Sequence, residues 1–204
     1  LEEREDDKLE GFLRGLSVER AAELLSHMEP DESAEVLRDL DNEHRESILD
    51  AMESTTAKQL RQLVSFDEEL AGGIMTTHIL IVKENATVGD ALKLLVENRE
   101  RESSDGVVVV DSKGKLLDHI QTVELIAADI KSMVSELIAK PYPTAVTSQT
   151  PINEVVEEFS NNRGSSIIVI DAKNKPIGRI LADDLVDALS QNRGRFSQSG
   201  VTRA

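Results

Sequence analysis

The chain has 204 residues, 39% of them apolar, and a net charge of −16. It has no cysteine, which excludes disulfides, thiolate nucleophiles and zinc–thiolate sites. Its only aromatic residues are Phe12, Phe66, Tyr142, Phe159 and Phe196, too few for the stacking platforms of single-strand nucleic-acid binders, and its negative charge repels phosphate backbones.

The charge is uneven. Residues 1–70 hold 21 Asp/Glu against 8 Lys/Arg, whereas the remaining residues hold 18 against 15. An acidic N-terminal third attracts cations. No apolar run approaches the roughly 18 residues of a membrane span, and no signal peptide is visible.

In chain order, residues 1–10 are charged and aperiodic, and are expected to fray. Residues 11–70 read as an all-α array. Ala22–Met28, Ala34–Leu40, Glu46–Met52 and Lys58–Val64 recur every 12 residues, each with apolar residues three and four apart. Asp31, Asp41 and Ser54 are placed to cap helix starts, and Pro30 suits a helix entrance. Helices this short must stack to bury their apolar faces, giving a superhelical array that presents surfaces. Asp67–Met75 reads as a short helix stopped by Gly72-Gly73, followed by a strand at Ile79–Val82; the domain boundary falls in this join.

Residues 71–137 and 138–190 then repeat one another. Each holds an extended segment, a helix (Thr87–Asn98; Pro151–Asn162), an apolar strand (Val107–Val110; Ile167–Ile170), a turn, a second strand and an acidic helix (Thr122–Ala128; Ala182–Ser190). The turns are Asp111-Ser-Lys-Gly-Lys115 and Asp171-Ala-Lys-Asn-Lys175, offset by 60. Upstream, Val82, Val88 and Asn98 match Val146, Ile152 and Asn162 at an offset of 64, so the first copy carries a four-residue insertion near Arg99–Asp105. Two equivalent units imply a pseudo-symmetric pair with one shared core. The fold class is mixed, α+β and α/β, with residues 191–204 left as a polar tail.

Two acidic groups stand out. Asp31 and Glu35, with Glu32 between them, share a helix face, as do Asp183 and Asp187 with Asp184 between them. Helix capping and dipole compensation account equally well for the first-turn members. Glu154, Glu157 and Glu158 read as a solvated face. His27, His44, His78 and His119 have no partners at metal-ligand spacing. Ser165-Ser166 lacks a paired base, and with no nucleophile–base pair or phosphate-cradling glycine loop the chain does not read as an enzyme.

The order strand–helix–strand–strand–helix, twice over, resembles a pair of CBS domains. The helical array containing Met28-Glu-Pro-Asp-Glu-Ser-Ala-Glu-Val-Leu37 and the join Leu70-Ala-Gly-Gly-Ile-Met-Thr76 add to this. The whole is similar to the cytosolic part of an MgtE-type magnesium transporter. That resemblance implies magnesium ions bound by Asp31, Glu32 and Glu35 of the helical domain and by Asp183, Asp184 and Asp187 of the CBS pair. It implies a homodimer formed through the CBS domains, compact and holding an attached transmembrane pore closed when ions are bound. It places the chain at the cytoplasmic face of the membrane. Hard divalent ions bridging carboxylates fit such a device, which is a population shift needing no catalytic residue. The alternative is a stand-alone CBS protein sensing adenine nucleotides, and a third reading is a structural dimerisation adaptor. Nucleotide-binding copies carry Gly-x-x-Thr-x-x-Asp after the turn. The first copy, Asp118 to Glu124, changes all three marked positions. The second keeps Gly178 and Asp184 but has Leu181 in place of the hydroxyl.

Overall fold

A computed structural model describes residues 12–13, 15–99, 105–138, 145–161 and 165–198, the side chains as far as Ser190. The expected frayed lead, most of the inserted segment, Tyr142 and residues 199–204 lie outside the described residues. The chain divides into two compact units, Leu1–Asp67 and Glu68–Ala204.

The first unit is helical: α1 (Val18–His27), α2 (Pro30–Asp39), α3 (Asn42–Ala51) and α4 (Ser54–Val64). These are the four 12-residue repeats. Helix α1 packs on α3 and α2 on α4, burying Ala22, Leu25, Ala34, Leu37, Ile48, Leu49, Leu60 and Leu63. Polar contacts tie the layers together. The buried Ser33 hydroxyl donates to Leu25 O at 2.7 Å. Arg38 Nη2 donates to Leu63 O at 2.8 Å, placing a cation on the negative C-terminal end of α4.

The caps differ in part from expectation. Asp41 caps α3, accepting from His44 N at 3.0 Å. Asp31 does not cap α2, because Pro30 takes the first helical position and moves the boundary back to Glu29. Ser54 lies inside α4, whose cap is Glu53, accepting from Thr55 N at 3.3 Å.

The second unit holds two copies of one module. In module 1, β1 (Ile81–Lys83), α5 (Val88–Glu97), β2 (Gly106–Val110), β3 (Leu116–Gln121) and α6 (Thr122–Ala127) follow in order. In module 2 the equivalents are β4 (Ala145–Thr147), α7 (Ile152–Asn161), β5 (Ser166–Ile170), β6 (Pro176–Leu181) and α8 (Ala182–Gln198). The sheets are β1-β2-β3 and β4-β5-β6, with the first pair parallel and the second antiparallel in each. In the antiparallel pairs register is identical at an offset of 60, down to the irregularity at Val109/Val110 and Val169/Ile170, and in the parallel pairs β4 follows β1 at an offset of 64. Val82, Val88, Ala91, Val107, Val109, Ile120 and Leu125 form the module 1 core. Strand β2 is buried along its whole length, which is why it reads as a continuous apolar run.

The join is not the helix expected at Asp67–Met75. Only Ala71–Gly73 forms a turn of 3-10 helix, because the backbone here is engaged by module 2. Ala71 N–H donates to Thr150 O and Gly72 N–H to Ser148 O. Thr76 exchanges both backbone hydrogen bonds with Arg179, at 2.9 Å each. The last helix also departs from expectation. It runs past Ser190 to Gln198, into the segment read as a polar tail.

Candidate functional site

Asp31 and Glu32 lie in the first turn of α2. The buried face of that helix is Pro30, Ser33, Ala34 and Leu37, which leaves Glu32 and Glu35 exposed and Asp31 half-buried. In the second unit, Asp183 and Asp184 lie in the first turn of α8. Asp183 and Asp187 are exposed, Asp184 is half-buried, and Leu185 between them points into the core. Each trio therefore presents two exposed carboxylates one helical turn apart or less. Among the described residues no three His, Asp or Glu side chains converge on a metal-sized site. Neither trio is a preformed cage within its own unit.

Module 1 does not repeat the acidic turn. At the positions equivalent to Asp183, Asp184 and Asp187 it has Val123, Glu124 and Ala127. Its one carboxylate is spent on the chain itself: Glu124 Oε2 accepts from Gln121 N at 2.8 Å, closing a capping box.

The register places His119 opposite Val108 and Arg179 opposite Ile168, so all four lie on equivalent faces of their sheets. That face looks across at the other module, because Arg179 of module 2 reaches Asp105 of module 1. Asp105 Oδ1 accepts from Arg179 Nη1 at 2.5 Å and lies 3.2 Å from His119 Nε2. Its Oδ2 accepts from Ser165 Oγ at 2.7 Å and from Ser166 Oγ at 2.8 Å. The Arg179 side chain is 3% exposed and that of Asp105 21%. Burial pushes the Asp105 carboxyl up, but His119, Ser165 and Arg179 outweigh it and hold the group well below the usual carboxylate range. This clasp escaped the sequence reading. Its members stand 14, 60, 61 and 74 positions from Asp105 in the chain, and only the duplicated register aligns them.

Gly178, assigned to a nucleotide motif from sequence, has a structural duty here. A β-carbon there would lie 2.6 Å from Thr76 O and 2.9 Å from Met75 Sδ, so the close backbone pairing of the join with β6 requires glycine. Asp184, the other member of that motif, is the third residue of α8, which starts directly after β6.

No helix among the described residues is long and apolar enough to cross a membrane. Residues 1–69 match the MgtE intracellular N domain family, and residues 71–120 and 134–191 match the CBS domain family. The magnesium transporter MgtE of Thermus thermophilus is 27% identical over 198 residues, covering 83% of this chain and 44% of the transporter. That of Bacillus subtilis is 23% identical over 188 residues, covering 89% and 41%. The chain thus spans less than half the length of these relatives. Among solved structures, the soluble part of a magnesium transporter superposes with a TM-score of 0.86 at 23% identity, over 93% of this chain and 74% of that one. The cytosolic domain of the Mg2+ channel MgtE in complex with ATP gives 0.65 at 26% identity, over 89% and 84%.

Proposed function

Because the chain belongs to the MgtE family, as an intracellular N domain followed by a CBS-domain pair, we propose that it is the magnesium-sensing regulatory region of a magnesium transporter. The observation that carries this reading is the match of both units, in order, to the regions that make up MgtE relatives. The exposed acidic turns supply the chemistry. Magnesium prefers hard oxygen ligands and retains much of its water, so it links carboxylates that form no cage by themselves. In this reading Asp31, Glu32 and Glu35, and Asp183, Asp184 and Asp187, take up the ion, and occupancy closes the helical unit and the CBS pair together. When the ion is scarce the unshielded carboxylates repel, and the closed population falls. The pore so regulated belongs to the same polypeptide, with this region on the cytoplasmic side and no catalytic step involved.

Dimerisation through the CBS pair is part of the proposal. Val123, Ile126 and Ile130 of module 1 and Val186 of module 2 are 60–69% exposed, and Ile126 and Val186 occupy equivalent positions. Apolar faces so exposed fit burial against a second copy.

The test is scattering and limited proteolysis of the whole chain in chelator and in excess magnesium. Compaction and protection are expected with the ion, and both are expected to be lost when Asp31 and Asp183 are changed to Asn. Superimposable profiles would overturn the reading. A second ligand, an adenine nucleotide, is favoured by the relative solved with ATP. Saturable binding of ATP or AMP in calorimetry, abolished by Asp184→Ala, is its test.

A further inference from the structure

The turns Asp111-Ser-Lys-Gly-Lys115 and Asp171-Ala-Lys-Asn-Lys175 have no part in the reading above. Each is pinned from within by its aspartate. Asp111 Oδ1 accepts from the backbone N–H groups of Lys113 and Lys115, both at 2.8 Å. Asp171 Oδ1 does the same with Lys173 and Lys175, at 2.8 and 2.9 Å. These backbone bonds, that from residue 115 or 175 first, hold both carboxyls below their usual range. Gly114 and Asn174 take the left-handed conformation that closes each turn, at φ 78° and 59°.

The structure brings the two turns together. Leu116 N–H donates to Asn174 O at 2.8 Å, and a β-carbon on Gly114 would lie 3.9 Å from Lys175 Nζ. Lys113, Lys115, Lys173 and Lys175 are all exposed. Among the described residues none of the four ammonium groups is in an ion pair. Asp111 and Asp171 stay ionised while accepting from backbone amides, and so offset two of the four lysine charges. A chain of net charge −16 therefore gathers four lysines against two aspartates in the paired turns of its second unit, a local surplus of positive charge. Screening over about 8 Å at physiological salt limits what a ligand there feels to the charges close to it.

We propose that the paired turns are a binding site for clustered phosphates, supplied either by a soluble polyphosphate or by anionic lipid headgroups. Ammonium groups on flexible stems suit such a ligand, since they act as point charges that adapt to several phosphate oxygens at once. A group of four lysines is also the size at which basic clusters begin to hold anionic bilayers. The site stands on this local geometry and is independent of the magnesium reading.

The test uses the whole chain in chelator, free of magnesium, so that ion sensing and phosphate binding are read separately. Sodium tripolyphosphate is titrated by calorimetry, and phosphatidylcholine vesicles with and without phosphatidylserine are used in co-sedimentation. Binding to one probe is expected, weakening with added salt. It should fall about fivefold for Lys113→Gln alone and on the order of a hundredfold or more when all four lysines become Gln. The double variant K113Q/K173Q, which leaves every backbone bond of the turns in place, answers the question if the quadruple variant does not fold. Lys131→Gln, elsewhere on the same unit, is the control. Tripolyphosphate binding assigns a soluble ligand, and binding only to phosphatidylserine vesicles assigns a membrane surface. Failure to bind either probe, wild-type binding by the lysine variants, or an equal loss in the control overturns the site.

Discussion

The two modules share every strand register, yet they differ at the positions where they meet. At offset 60, Asp105 corresponds to Ser165, Gly106 to Ser166, Asp118 to Gly178 and His119 to Arg179. Had the duplication stayed faithful here, each module would present the same charge to its twin, and two guanidinium groups or two carboxylates would be buried together. Divergence resolves this: a carboxylate from module 1 is bound by a guanidinium and two hydroxyls from module 2. The outward positions diverged as well. Module 2 keeps an acidic helix start at Asp183 and Asp184, while module 1 has Val123 and a glutamate occupied in capping. Symmetry sets the frame, and asymmetric side chains decide how the halves adhere and which of them starts its last helix with exposed carboxylates.

The sharpest way to break the comparison is at the clasp. Asp105→Ala is expected to lower stability by about 3 kcal/mol, because Arg179 stays buried without the carboxylate; His119→Ala should cost less, since Arg179 and both serines still hold Asp105. Denaturant melts of the two variants check this. The pH sign follows from the depressed Asp105 carboxyl. Its contribution is present above the unfolded-state value of about 4 and is lost as pH falls toward the lower folded-state value. The D105A variant should therefore converge with the wild type in acid, in melts taken between neutrality and about pH 3.

The next test concerns the glycines, which sit on opposite members of the two hairpins. A β-carbon at Gly106 would lie 2.2 Å from Ile120 O, and one at Gly178 would lie 2.6 Å from Thr76 O. Gly106→Ala and Gly178→Ala should each cost roughly 2 kcal/mol, as overpacking does. Gly178→Ala should also loosen the join, read as faster hydrogen exchange at Thr76; unchanged exchange there would show that the join can retreat from β6.

A smaller effect separates the acidic turns. Changing Asp183 and Asp187 to Asn is expected to weaken magnesium binding about tenfold, or ~1.4 kcal/mol. Glu124→Gln in module 1 should leave it unchanged while costing a few tenths of a kcal/mol in helix capping. Equal losses from both, in calorimetry, would remove the distinction between modules. In the turns, Asp111→Ala and Asp171→Ala should each cost about 1 kcal/mol by freeing two backbone amides. Their equality is the mark of a conserved turn in two otherwise divergent copies.

Much of this architecture is written locally in the chain. The four 12-residue repeats, the Asp41 cap, the Asp-x-Lys-x-Lys turns and the 60-residue offset are regular patterns, and periodicity with turn chemistry is enough to place α1 to α4 and the paired strands on either side of each turn. The acidic turns at Asp31 and Asp183 were legible for the same reason, since residues one turn apart on a helix share a face whatever surrounds them.

What the sequence could not decide is where distant segments touch. That Asp105 meets Arg179, that Gly178 is glycine because Thr76 lies on it, and that Ala71 and Gly72 pair with module 2 instead of extending a helix all depend on long-range packing. Local propensity carries no information about which backbone will approach from 74 or 102 residues away. Burial then turns those meetings into constraints, because a polar group or a tight contact removed from water must be matched in place.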